Sequence, residues 1–233
     1  MPATKTKILL VSATEEEIRP FLSLLIPTPS QENNVLKSFY YKGMEIDALC
    51  TGAGMVTTSY HLTKALLKKK YDFAINAGIA GSFDKNLQYG TVVHVVSDMF
   101  PELGAEDDDK FLPAHEINLL NPDTLPFNKG QLHSSRLIKS KVLAGLPEAC
   151  GITVNTVHGN EQSIKKTMKL FSPQVETMEG AAFMFVCIIE NIPFAQVRSI
   201  SNYVEKRNKS AWKIPLAIDR LNEKLKEIID CFE

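Results

Sequence analysis

The chain has no CxxC pair, a single tryptophan, no excess of basic charge and no apolar run long enough to span a bilayer. Each absence removes a class of function. The four cysteines, Cys50, Cys150, Cys187 and Cys231, are scattered and no histidine pair lies near them. Neither a metal site nor a disulfide framework is expected, and no cofactor is implied. Cys50 and Cys187 sit in apolar runs and read as small core residues. Lysine and arginine total 26 against 27 acids, a net charge of −1, which leaves no basic field for nucleic acid. A bilayer span needs about 18 or more apolar residues in a row, so no membrane segment is expected. Residues 1–7 are short and polar and lack a signal peptide's apolar centre; a cytoplasmic location follows as an expectation. Asp107-Asp108-Asp109 brings no spaced ligands with it, and reads as an exposed acidic loop rather than a cation site.

What is present is a core. With 233 residues, 44% of them hydrophobic, the chain can close one α/β domain over residues 1–233. No repeat or linker divides it. Short apolar runs predict strands at 7–12, 35–41, 44–51, 73–77, 90–99, 151–157 and 194–200. Helices are predicted at 15–25, 55–68, 136–143, 161–171, 181–189 and 209–231, the last interrupted near Pro215. Glu15-Glu16-Glu17 opens the first helix, where the dipole favours acids. Residues 26–34 read as a loop and 113–135 as a long loop or lid. The alternation implies an α/β fold with a largely parallel or mixed sheet. Ligands in such sheets bind beyond the carboxyl ends of strands. Ser12 to Glu17, the glycine turns Gly52-Ala53-Gly54 and Gly78-Ile79-Ala80-Gly81, and Asn202 all fall at such ends.

Val175-Glu176-Thr177-Met178-Glu179-Gly180-Ala181-Ala182-Phe183 carries the strongest signal. It sets Glu179 at the mouth of an apolar helix, where a carboxylate is costly unless paired. The partner can be the helix dipole alone, or the hydroxyl pair of a ribose.

Five segments together resemble the purine nucleoside phosphorylase and nucleosidase superfamily: SATEEEI (12–18), TGAGMV (51–56), INAGIAGS (75–82), VETMEGAAF (175–183) and RSISN (198–202). Their order holds from residue 7 to about 220. The resemblance implies a three-layer phosphorylase/hydrolase-like fold with a central mixed β-sheet flanked by helices. Within it, Glu17 is the general base for water and Glu179 holds the ribose hydroxyls and complements the developing cation. Met178 lines the sugar, Ala77 and Gly78 contact substrate, and Asn202 meets the departing base. Glu17 has an alternative reading as a solvated first-turn glutamate.

Asn202 also narrows the resemblance. Adenine-releasing nucleosidases end this strand in Asp. The ETMEG form, SNYVE (201–205) and SAWKIPLAI (210–218) are similar instead to the futalosine hydrolases, which release hypoxanthine in the alternative menaquinone pathway. Asn offers both a donor and an acceptor, which suits a 6-oxopurine. Trp212 stands ten residues after Asn202, where the nucleosidases place an aromatic residue against the 5′-substituent; core packing is its other reading. Lys206, Arg207 and Lys209 lie close by in sequence. No cation stands beside Ile75-Asn76-Ala77 in sequence to hold phosphate, so water is the expected nucleophile. The resemblance further implies a homodimer. The competing readings are an adenine-releasing methylthioadenosine/S-adenosylhomocysteine nucleosidase, a phosphorylase, and a nucleoside-binding protein without catalysis.

Overall fold

Ile8 and Leu10 face one hydrophobic cluster, while Leu9 and Val11 face another. That alternation in a strand buried on both sides is the seed of the fold. The computed structural model describes residues 5–29, 35–134, 138 and 140–232. Among them the strands are β1 (Lys7–Ser12), β2 (Ile26–Pro27), β3 (Leu36–Tyr41), β4 (Met44–Cys50), β5 (Phe73–Ser82), β6 (Val92–Asp98), β7 (Gly104–Asp107), β8 (Lys110–Pro113), β9 (Leu132–His133), β10 (Glu148–Thr153), β11 (Val175–Thr177) and β12 (Phe194–Tyr203). The helices are α1 (Glu15–Leu22), α2 (Met55–Lys68), α3 (Lys141–Ala144), α4 (Glu161–Phe171), α5 (Gly180–Ile189) and α6 (Ile214–Asp230).

The main sheet runs β11-β10-β6-β12-β5-β1-β4-β3-β2. It is mixed: β1, β4, β5 and β12 run parallel in sequence of pairing, while β12–β6 and β3–β4 are antiparallel. β11 also pairs with the far end of β5, Glu176 opposite Gly81, so that part of the sheet closes on itself. Ile18 and Phe21 of α1 join Leu221, Leu225 and Ile228 of α6 against one face. Leu62 and Leu66 of α2 join Phe183, Met184 and Cys187 of α5 against the other. This is the expected three-layer α/β arrangement. No helix among the described residues is long and apolar enough to cross a membrane.

The structure corrects several boundaries. The second glycine segment is not a turn, because β5 continues through Ser82. Its glycines are required by crowding from the side. A Cβ on Gly78 would lie 2.9 Å from Glu17 Oε1, and one on Gly81 3.0 Å from Val204 and 3.2 Å from Asn202 Nδ2. The first segment is a true turn, with φ of +78° at Gly52 and +102° at Gly54, where glycine avoids a Cβ penalty. Helix α1 stops at Leu22, where Ser23 donates from its backbone to Arg19 O and from its hydroxyl to Pro20 O. β12 runs on to Tyr203. The last helix starts only at Ile214, with Pro215 in its first turn, where a missing N–H costs nothing. The acidic loop is the hairpin β7–β8, turned at Asp108 and Asp109. Of the helix expected at 136–143, α3 is what the described residues contain; 135–137 and 139 lie outside them. Cys187 is buried and Cys50 half-buried, and all four thiols are free.

Candidate active site

Four elements converge at the carboxyl ends of β1, β5 and β12. Glu17 is the third residue of α1 and its carboxylate reaches back over the helix start. Oε2 accepts from Thr14 N (3.0 Å), Thr14 Oγ1 (3.2 Å) and Ser12 Oγ (3.0 Å). Oε1 accepts from Ile79 N (3.0 Å) in β5. The contact to Thr14 N is half of a capping box, which fixes the side chain as part of the helix cap. Glu17 is therefore not the solvated first-turn glutamate of the simpler reading. One lone pair on Oε1 remains open to a ligand or water.

Glu179 occupies the N-cap position of α5 and is buried. Its Oε1 accepts from Gly54 N at 3.0 Å, so the first glycine turn delivers an amide into the site. Burial pushes the Glu179 carboxyl above its ordinary value, while the Arg198 guanidinium and the Gly54 amide pull the other way. Arg198, on β12, is among the largest fully buried side chains. Its Nη1 donates to Asn76 O and Val197 O, both at 3.1 Å, and its Nη2 to Asn76 Oδ1. Burial lowers its pKa, and the charges of Glu179, Glu17 and Asp98 oppose that. Glu17 Oε1 and Arg198 Nη1 both lie within 3.5 Å of the point where a Gly78 Cβ would be. A buried cation thus stands beside two carboxylates, the arrangement that lets charge persist away from water.

Asn202 follows a register shift between Ile200 and Asn202, a bulge that re-aims the side chain. Its Oδ1 accepts from Ser201 Oγ (2.8 Å) and its Nδ2 donates to Tyr203 O (3.1 Å). Met178 is half-buried between β11 and α5. Trp212 is half-buried and the Arg207 guanidinium sits 5.2 Å from its ring centroid, within cation–π range. Lys213 N donates to Ser201 O at 2.8 Å, which ties this segment to the strand bearing Asn202. Lys206 and Lys209 are exposed. Beside them, the segment preceding α4 is anchored by His158, whose N donates to Glu176 Oε1 (3.0 Å) and whose Nδ1 pairs with Glu176 Oε2.

The structure brings Glu17, Gly78 and Glu179 around Arg198, with Met178 adjoining. Ala77 is corrected: its methyl is fully buried in the cluster that packs on α1 and α6, so its side chain meets core and not ligand. Gly78 lies beside Glu17 and makes room for its carboxylate. The sequence reading also found no cation beside Ile75-Asn76-Ala77, whereas folding brings Arg198 onto Asn76. A lone arginine in the run AQVRSIS was the available signal. The Thr14-x-x-Glu17 spacing was the signal for the cap.

These features define an α/β protein with a carboxylate pair built around a buried guanidinium at the strand ends. The chain belongs to the Phosphorylase superfamily, whose profile matches residues 7–231. A futalosine hydrolase of Acidothermus cellulolyticus is 27% identical over 95% of this chain and 88% of that protein. A 5′-methylthioadenosine/S-adenosylhomocysteine nucleosidase of Maridesulfovibrio salexigens is also 27% identical, over 88% of this chain and 89% of its own. In three dimensions the chain is similar to the futalosine hydrolase of Helicobacter pylori, with a TM-score of 0.78 at 20% identity, covering 97% of both chains. The S-adenosylhomocysteine nucleosidase of Streptococcus pyogenes, solved with 5-methylthiotubericidin, gives 0.82 at 18% identity over 99% and 98%.

Proposed function

We propose that this protein is an N-glycosyl hydrolase that cleaves the N-ribosidic bond of futalosine with water, giving hypoxanthine and dehypoxanthine futalosine in menaquinone biosynthesis. It acts as a single domain, in the cytoplasm, without cofactor. Water attacks C1′ and Glu17 takes its proton. The C1′–N9 bond breaks, its electron pair leaves with the purine, and the purine takes a proton from solvent while Glu17 returns its own. The sugar passes through an oxocarbenium-like state, as in glycoside hydrolysis. Glu179 meets the ribose hydroxyls, and its charge complements the cation. The charge of the buried Arg198 opposes the rise that burial imposes on the Glu179 carboxyl.

The observation that carries the futalosine reading is Asn202. Its amide presents one donor and one acceptor to a purine edge, and a 6-oxopurine needs a donor opposite O6. Leaving a buried donor unpaired costs about 1–3 kcal/mol, which separates 6-oxo from 6-amino substrates by tenfold or more. Trp212 with Arg207 suits an aromatic, anionic 5′-tail. Hydrolysis is favoured over phosphorolysis because the Arg198 guanidinium is fully buried and its donors already go to Asn76 and Val197, leaving little of it for a phosphate dianion. Dimer formation is supported by an exposed apolar strip on α2, Val56, Tyr60 and Leu67, which begins at the Gly54 turn.

A second reading, adenine release from methylthioadenosine, is supported by the Maridesulfovibrio relative, which is as similar as the futalosine hydrolase. Incubation with futalosine, inosine and methylthioadenosine, with and without phosphate, separates the readings. Hypoxanthine released from futalosine without phosphate is expected. Adenine as the preferred product moves the assignment to the second reading, and a ribose-1-phosphate product overturns hydrolysis.

A further inference from the structure

Helix α5 begins with Gly180, yet its N-cap residue, Glu179, makes no side-chain cap hydrogen bond. Its first amides are satisfied from beneath instead. Gly180 N donates to Thr177 Oγ1 (3.1 Å) and Ala181 N to Thr153 Oγ1 (2.7 Å). The two hydroxyls lie 3.1 Å apart, and Thr153 Oγ1 lies 3.0 Å from Asp98 Oδ1. Each hydroxyl has one proton. Asp98 Oδ1 accepts from Thr153 Oγ1, so the Thr153 proton points to Asp98 and the Thr177 proton to Thr153.

Asp98 is held just as firmly on its other sides. Met99 N donates to Oδ1 (2.8 Å) and Gln196 Nε2 to Oδ2 (3.0 Å). Asp98, Thr153, Thr177 and Gln196 are all buried. A Cβ at Gly180 would fall 1.9 Å from Gln196 Oε1 and 2.4 Å from Asp98 Oδ2, so only glycine lets the helix start sit this low on the network. The orphan amides of a helix start favour an anion there. The usual supplier is the N-cap side chain, and here that side chain is turned instead to Gly54 N.

We propose that Asp98 is a positioning residue for Glu179: through Thr153 and Thr177 it takes over the capping of α5 and so frees the Glu179 carboxylate for the ligand. Without the relay, the α5 amides would compete for that carboxylate and draw it back over its own helix. The inference rests on the nucleosidase reading above, in which Glu179 holds the ribose 2′-hydroxyl.

The test compares ribo and 2′-deoxyribo forms of whichever nucleoside the wild type turns over. Displacing a binding group by about 1 Å can cost on the order of 100-fold. Asp98→Asn and Thr153→Val are each expected to lower kcat/KM for the ribo substrate by about 10- to 100-fold, with a much smaller change for the deoxy substrate. Thr153→Ser, which keeps the hydroxyl, should restore discrimination. Folding is checked by circular dichroism, and if Asp98→Asn does not fold the Thr153 pair decides alone. An equal loss on both substrates, or a Thr153→Val enzyme that keeps its discrimination, overturns the inference. A wild type that hydrolyses no nucleoside overturns the functional reading instead.

Discussion

Gly78 and Glu17 occupy one space between them: the position a Cβ would take on Gly78 lies 2.9 Å from Glu17 Oε1. The strand residue is small because the helix residue leans over it. Gly78→Ala should therefore leave β5 intact, since a strand tolerates alanine, but push the Glu17 carboxylate off the Ile79 amide. A loss in kcat of about 10- to 100-fold is expected from such a displacement, with little change in melting temperature. Wild-type kcat in this variant would show that Glu17 does not act from the position seen here.

Glu17→Gln separates the cap from the chemistry. Glutamine can also serve at the third position of a capping box, so α1 and the melting temperature should survive. The base is lost, and turnover should fall by roughly 10²–10⁴-fold, the usual worth of general-base catalysis. Retention of more than about a tenth of wild-type turnover removes Glu17 from that role.

Much of the layer order was readable because its signals are local. Met55–Lys68 and Glu161–Phe171 carry their own end signals and match the structure to the residue. The strand through Gly78 and Gly81 was misread because glycine is ambiguous in sequence: it permits a turn, and it also permits close lateral approach. Only the distant residues Glu17, Val204 and Asn202 decide between these. The same holds for Arg198. A charge in an apolar strand announces a partner, but the partners lie on α1, β5 and α5, which tertiary pairing alone brings together. Glu17 and Glu179 were found because they adjoin recognisable segments; the Asp98 relay beneath them has no contiguous sequence to announce it.

The buried Asp98 and the half-buried His158 both contribute to the pH response of stability. Burial pushes Asp98 from 3.8 up to about 7, against its bonds to Thr153 and Met99 and the charge of Arg198; Glu179 adds to the rise. The folded state then holds more protons than the unfolded chain between these values, so stability falls as pH rises from about 4 to 7. His158 is raised above 6.5 by its hydrogen bond to Glu176 and by the charges of Glu176 and Glu102, with burial opposing. Its contribution is whole below about 6.5 and is lost as pH rises through the folded value. Both act in one direction. The melting temperature should be higher near pH 5.5 than near pH 8, and the difference should shrink in His158→Gln and in Asp98→Asn. A melting temperature that rises over this range would contradict both assignments.

Glu179→Gln keeps the shape of the N-cap residue and removes its charge. The Gly54 amide still finds an oxygen acceptor, while the ribose hydroxyls lose a carboxylate. Both kcat and KM should suffer, and the loss should be smaller for 2′-deoxy substrates, which never made that contact. Equal losses on ribo and deoxy substrates would mean that the carboxylate does not hold the 2′-hydroxyl.

Asn202→Asp tests the choice of base. In the free protein Ser201 Oγ donates to Asn202 Oδ1 and Asn202 Nδ2 donates to Tyr203 O. A carboxylate keeps the first bond but sets an oxygen against the Tyr203 carbonyl. That opposition favours the protonated acid, because a hydrogen bond made only by the neutral form raises a carboxyl pKa. With that proton held by the Tyr203 carbonyl, the variant would offer an acceptor to a 6-amino group and would lose the amide donor for O6. A site built around hydrogen bonds to its substrate can discriminate by roughly 10⁴-fold, so even a partial exchange is visible. The measurement is kcat/KM for futalosine and for its 6-amino analogue in both proteins. The ratio should shift toward the 6-amino compound by tenfold or more in Asn202→Asp, by loss on one substrate and gain on the other, given the roughly 1–3 kcal/mol at stake for an unpaired donor. An unchanged ratio means that Asn202 does not read position 6.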